Sequence, residues 1–153
     1  MPRFSKQELT HAFEGFEEDA RRACATGDWV AWAEHFTEDA VYIEHFYGRM
    51  EGREAIAKWI SSTMGSFPGN AMTDFPSEWF VVDEERGWVI FEVWNVMADP
   101  GDGSVHRASN ITILHYAGDG KWSYEEDVYN PAEFATMLEG WTRRRDELTA
   151  QAT

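Results

Sequence analysis

From Trp79 to Tyr129 the sequence alternates between apolar and polar residues with a period of two, and this stretch limits the possible folds most. It divides into four segments, Trp79 to Val82, Trp88 to Met97, Ser104 to Tyr116 and Trp122 to Tyr129. The separators, Asp83-Glu84-Glu85-Arg86-Gly87, Asp99-Pro100-Gly101-Asp102-Gly103 and Gly118-Asp119-Gly120, are short and rich in Gly and Asp. Alternation of period two is the pattern of half-buried strands. Separators this short leave no room for a crossover helix, so the segments must pair as an antiparallel meander.

The flanking sequence is helical. Ser5-Lys6-Gln7-Glu8 has the form of a capping box, and Leu9, Phe13, Phe16, Ala20 and Ala23 then place one apolar stripe along a helix that stops near Gly27. Cys24 lies beside that stripe as a small core residue. Asp28 can cap a short second helix with Trp29, Trp32 and Phe36 on one face. Val41 to His45 reads as a short strand, and Gly48 and Gly52 frame a loop. Ile56, Trp59, Ile60 and Met64 mark a third helix that ends before Gly65, Pro68 and Gly69. Asn130-Pro131-Ala132-Glu133 starts the last helix, which carries Phe134, Leu138 and Trp141. The order is helix, helix, strand, helix, four strands, helix. This is the pattern of an α+β domain spanning residues 1–153, in which helices cover one face of a curved antiparallel sheet and leave an internal pocket. The helices beginning near Ser5 and Asn130 should share that face.

Composition narrows the function. The 153 residues include 8 Trp and 10 Phe, and a chain of this size buries roughly 70% of its unfolded surface. Intrinsic disorder is excluded. The formal charge of −15, from 13 basic and 28 acidic residues, repels phosphate backbones and anionic headgroups, so neither nucleic acid nor membrane is expected as a partner. Cys24, the single cysteine, excludes an internal disulfide and a thiolate zinc site. The N-terminal residues lack an apolar h-region and no segment approaches ~20 apolar residues, which points to a cytoplasmic, unprocessed protein.

Gly27-Asp28-Trp29, Phe36-Thr37-Glu38-Asp39-Ala40-Val41-Tyr42 and Gly52-Arg53-Glu54-Ala55-Ile56 resemble the front half of the SnoaL-like branch of the nuclear transport factor two superfamily. Gly118-Asp119-Gly120-Lys121-Trp122 and Tyr129-Asn130-Pro131 resemble its last hairpin and the end of its last long strand. The resemblance covers roughly residues 9 to 138 and implies a conical α+β barrel, often dimeric, with a pocket in the cone. Ketosteroid isomerase, limonene epoxide hydrolase, polyketide cyclases, scytalone dehydratase and non-catalytic binding modules all use this fold, so fold alone does not choose a reaction.

Two carboxylates are candidate catalytic residues. Through the resemblance, Glu44 stands where ketosteroid isomerase carries its catalytic Asp. Burial against aromatics would raise its pKa toward that of a proton-shuttling base, whereas a solvated strand-end acid would have no such role. On the last strand Glu125, Asp127 and Tyr129 share one face, and Tyr124, Glu126 and Val128 the other. The resemblance puts the first set on the pocket side, where epoxide hydrolases and SnoaL-type cyclases use an Asp. The competing reading is an ordinary acidic edge. Tyr42, Asn110, Thr112, Glu125 and Tyr129 are candidate substrate-binding residues. Thr112 and Ala20 occupy the places of the acid and the phenol in the ketosteroid isomerase oxyanion hole, so that chemistry is not expected. Arg107, Ser109 and Asn110 do not complete the Asp-Arg-Asp set of the epoxide hydrolase.

No cofactor or metal is expected. Glu34-His35 and Glu44-His45 lack zinc spacing, Gly118 to Lys121 is a hairpin turn and not a phosphate loop, and Glu44, Glu125 and Asp127 would take a divalent cation only if they converged. His45 should face away from the pocket. Trp88 and Trp94 share a strand face and suggest core or a homodimer interface. The expected function is a cofactor-independent isomerase, cyclase, dehydratase or hydrolase acting on a small apolar, cyclic metabolite by carboxylate acid/base chemistry. The alternative is a non-catalytic hydrophobic-ligand-binding or dimerisation module.

Overall fold

The computed structural model describes residues 1–153. Helix α1 (Lys6–Thr26) starts at Ser5, whose hydroxyl accepts the Glu8 amide at 3.1 Å, and stops at Gly27, which takes the left-handed φ of 78°. The return bond of a capping box is not made, because the Glu8 carboxylate instead accepts the Tyr116 hydroxyl at 3.2 Å. Asp28 caps α2 (Trp29–Ala33) through the Ala31 amide. Strand β1 (Phe36–Glu44) follows directly. Phe36 therefore opens a strand and is not the last turn of a helix, although its ring still packs 5.3 Å from Trp32.

The segment expected to be a loop between Gly48 and Gly52 contains strand β2 (Gly48–Glu51), antiparallel to β1 with Glu44 opposite Gly48. Helix α3 (Arg53–Met64), a 3-10 turn at Gly69–Ala71 and the short strand β3 (Met72–Asp74) lead into the meander. Its strands are β4 (Ser77–Asp83), β5 (Trp88–Met97), β6 (Arg107–Gly118) and β7 (Lys121–Val128), and α4 (Pro131–Gln151) follows. Strand β6 begins at Arg107 and not at Ser104, because Asp99 accepts the amides of Gly101, Asp102 and Gly103 while Asp102 accepts both the amide and the hydroxyl of Ser104. Those local bonds hold the segment in a turn and away from the ladder.

The sheet runs β2-β1-β7-β6-β5-β3, with β4 also paired to β5. It is antiparallel except that β1 and β7 pair in parallel. A parallel pair needs a long connection, and here all of α3 and the meander lie between the two strands. This pairing places Tyr42 beside Glu125 and Glu44 beside Asp127 in a sheet that stays open between β2 and β3.

The concave face holds the core. Helix α1 packs Phe13 on Phe91 at 4.7 Å, and α4 packs Met137 and Trp141 with Met97 and Ala108 on the same face. Trp141 also donates its indole N–H to the Ala98 carbonyl at 2.7 Å. Strict alternation along β7 would turn Trp122 outward if Glu125 and Asp127 face inward. Opposite β6, however, His115 pairs with Tyr124 and Tyr116 with Trp122, so Ser123 is an extra residue. The bulge re-aims the strand, and Trp122 is fully buried at one end while Glu125 and Asp127 face inward at the other.

Candidate active site

Between the concave face and the four helices lies a cavity of about 450 Å³, lined largely by apolar side chains. That volume suits a small-molecule site. Helices α1, α2 and α3 contribute Phe16, Trp29, Trp32, Trp59 and Ile60, and α4 contributes Phe134 and Leu138. Most of the polar groups come from the sheet. The seven sequence candidates, Tyr42, Glu44, Asn110, Thr112, Glu125, Asp127 and Tyr129, all line the cavity.

Strand register explains their convergence. Thr112 is opposite Asp127 in the β6–β7 pair, and Asn110 is opposite Val93 in the β5–β6 pair. Asp127 is the focus. Its Oδ2 accepts the Tyr42 hydroxyl at 2.5 Å and its Oδ1 accepts the Thr112 hydroxyl at 2.7 Å. Asn110 donates to Thr112 Oγ1 at 2.8 Å, and Asn95 donates to Asn110 Oδ1 at 2.8 Å. A relay of four residues from β5, β6 and β7 thus ends on one carboxylate, and Tyr42 from β1 meets it from the other side.

The three carboxyl groups on this wall differ in their surroundings. Glu44 is only 4% exposed, and its Oε2 and Oε1 accept the amides of Tyr47 at 2.8 Å and Phe46 at 3.2 Å. It fastens the turn between β1 and β2 while facing the cavity. Glu125 is equally buried, but its Oε2 has no hydrogen-bond partner. Burial, with the charge of Asp127 second, pushes its pKa well above the ordinary carboxylate range. Burial also raises the pKa of Asp127, against the opposing hydrogen bonds from Tyr42 and Thr112. Burial followed by the charges of Asp127 and Glu125 holds the Tyr42 phenol protonated. Burial and the neighbouring Glu44 do the same for Tyr129.

Three polar lining residues, Glu17, Thr63 and Asn95, escape the sequence reading. Asn95 stands on the inward face of β5 between Val93 and Met97, a polar interruption of an otherwise apolar face. Glu17 lies on α1 four residues after Phe13 and three before Ala20, and so falls on the apolar stripe. It accepts the Ser77 hydroxyl, and burial pushes it up to about 7, with Arg21 opposing and Glu14 adding to the shift. An acid on a buried helical stripe was the available signal. No three His, Cys, Asp or Glu side chains come together closely enough to hold a metal ion. His45 lies outside, paired with Glu126 at 2.7 Å.

A search of curated protein sequences returned no significant match. Solved structures share the fold at low identity. A Bacillus subtilis protein described provisionally as an isomerase is 19% identical, with 88% of this chain and 94% of that one covered at a TM-score of 0.66. A Xanthomonas campestris pv. campestris protein described provisionally as a polyketide cyclase is 20% identical, with 87% and 98% covered and a TM-score of 0.61. A Catenulispora acidiphila protein with a ketosteroid isomerase-like fold, in complex with trimethylamine, is 18% identical, with 82% and 88% covered and a TM-score of 0.55. Residues 18–125 match the family described as the SnoaL-like domain, and the chain belongs to that family.

Proposed function

We propose that the protein is a cofactor-independent enzyme that moves a proton on an apolar, cyclic metabolite, in the manner of an isomerase, cyclase, dehydratase or hydrolase. The observation that carries this reading is the pair Asp127 and Glu125 on one cavity wall, with hydroxyl donors on both oxygens of the first and an unpartnered Oε2 on the second. Two identical groups in unlike surroundings separate into a base and an acid. Asp127, held by Tyr42 and Thr112, is the base. Glu125, disfavoured as an anion by burial, returns the proton. Glu44 holds the cavity rim through the amides of Phe46 and Tyr47, and Asn110, Thr112 and Tyr129 shape the substrate's seat.

Carboxyl-resolved NMR titration tests the assignment without a substrate. At least one of Glu125 and Asp127 should titrate well above the ~4 of free carboxylates, with the two steps coupled. Ordinary, uncoupled titration of both would leave the non-catalytic binding module as the better reading.

The protein acts as a homodimer through the convex face of the sheet. That face carries Trp79 and Val81, 44% and 53% exposed, beside Ile90, Ile111 and Ile113. Apolar area of this kind marks interfaces. Trp88 stacks on His115 at 4.2 Å, and Arg107 covers Trp94 at 4.0 Å, so the hydrophobic area is flanked by flat aromatic surfaces. A 17.6 kDa particle in light scattering at micromolar concentration would refute the dimer. A lone cysteine supports a cytoplasmic setting, and no helix is long and apolar enough to cross a membrane. The trimethylamine complex of the Catenulispora acidiphila protein keeps a cation among the ligands to be tried.

A further inference from the structure

The only charge that side chains of the cavity wall can carry is negative. Glu17 from α1, Glu44 from β1, and Glu125 and Asp127 from β7 line it, and no Lys, Arg or His does. Elsewhere on the chain acids find basic partners, as Asp83 does with Arg86 and Asp102 with Arg144.

Hydrogen bonding is equally one-sided. Along the sheet wall the donor groups of Asn95, Asn110, Thr112 and Tyr42 are engaged in the relay that ends on Asp127, and the Tyr129 hydroxyl is turned to Glu44. What remains free there is acceptor capacity. Asp127 receives two bonds where a carboxylate can take about four. Glu125 Oε2 receives none although its residue is 4% exposed. The unpartnered indole N–H groups of Trp32 and Trp59 sit on the helices and are neutral. They can meet an acceptor on a ligand but cannot balance charge.

An unpartnered buried carboxyl group is costly, and what relieves it is a donor, best of all a charged one. An anionic ligand would enter among four acids with no counter-charge. A neutral ligand without a donor would leave Glu125 as it is. The rings of Trp29, Trp32, Tyr42 and Trp59 supply apolar contact and π faces that attract cations.

We infer that the ligand of this cavity is an apolar amine bound as its ammonium form, with N–H groups on Glu125 and Asp127 and its hydrocarbon body on the aromatic helical wall. The inference rests on the proposed reading of the cavity as the active site and names the substrate class.

Calorimetry with three probes of one shape tests it: 3-phenylpropylamine, 3-phenylpropanol and 3-phenylpropanoate. The amine should bind at least about tenfold tighter than the alcohol, a difference of 1.4 kcal/mol, and the acid should give no detectable binding. Glu125→Gln and Asp127→Asn should each reduce the preference for the amine over the alcohol to about threefold or less. Glu17→Gln should act in the same direction by a smaller factor. Equal or tighter binding of the alcohol to the native protein overturns the inference but leaves the acid/base reading standing. Persistence of the amine preference in the double variant Glu125→Gln, Asp127→Asn also overturns it, because the bulk charge of −15 would then be the cause. Absence of binding by all three probes at millimolar concentration removes both the inference and the reading beneath it.

Discussion

On β7 the carboxyl group of Glu125 faces the cavity with its Oε2 unpartnered, whereas that of Glu126, the next residue, lies on the outer face and accepts the Tyr124 hydroxyl at 2.7 Å beside His45 at 2.7 Å. The side chains are chemically identical. Burial raises the first above its ordinary value, and hydrogen bonds from Tyr124 and His45 lower the second. Pleat alternation therefore sets the chemistry of this strand, because a one-residue step exchanges a dry, donor-poor wall for a wet, donor-rich one.

The inner wall carries the largest expected effect. Asp127→Asn keeps the shape of the site and removes its titrating proton. Turnover of a substrate, once found, should fall by about 10²- to 10⁴-fold, with ligand affinity changed less than about tenfold. A variant with kcat intact would move the chemistry off Asp127.

Glu125→Gln gives the next largest effect, read as stability against pH. The folded state keeps a proton on Glu125 that the unfolded chain loses above its ordinary value of 4.5. Native stability should therefore fall as pH rises from about 5 toward 8 through this group. Removing the ionisable proton should flatten that slope and leave the variant more stable, by about 1 to 3 kcal/mol at pH 8. Urea unfolding at several pH values measures it, and parallel profiles for native protein and variant would erase the contrast with Glu126.

Glu126→Gln should do the opposite on a smaller scale. Its contribution is present above 4.5 and is lost as pH falls through its lowered folded value. The variant should be less stable at pH 7 by under about 1 kcal/mol, as for other exposed pairs, and equal to the native protein near pH 3. A pH 7 loss matching the size of the Glu125→Gln gain would show that the outer face is no more forgiving than the cavity.

The same contrast shows why some of the molecule was legible in its sequence. Period-two segments long enough to repeat several times, such as Trp88 to Met97, declare their strand character and their faces. Strands β2 and β3, with four and three residues, complete too few alternations to be told from loops. Phe36 kept the i+4 spacing from Trp32 that signals a helical face, yet the chain had already turned into β1. Packing of the two rings rewards that spacing in either conformation. On β7 the inward set of Glu125, Asp127 and Tyr129 could be read from alternation, but only the bulge at Ser123 reconciles it with a buried Trp122. A single extra residue leaves no compositional trace. Asn95 and Glu17 were visible as polar intrusions on apolar faces. Their place on the same cavity wall as Asp127 depended on contacts between elements distant in the chain.

Glu44 gives the cavity a further property through the turn it fastens. Phe46 and Tyr47, 72% and 51% exposed, line the cavity from the solvent side, and their amides are bound by a carboxylate belonging to the interior wall. The threshold and the chamber are thus one mechanical piece. The exposed turn that carries those two rings and the inner wall that carries Tyr42 are both held by β1, so a displacement at the end of that strand would shift the two together.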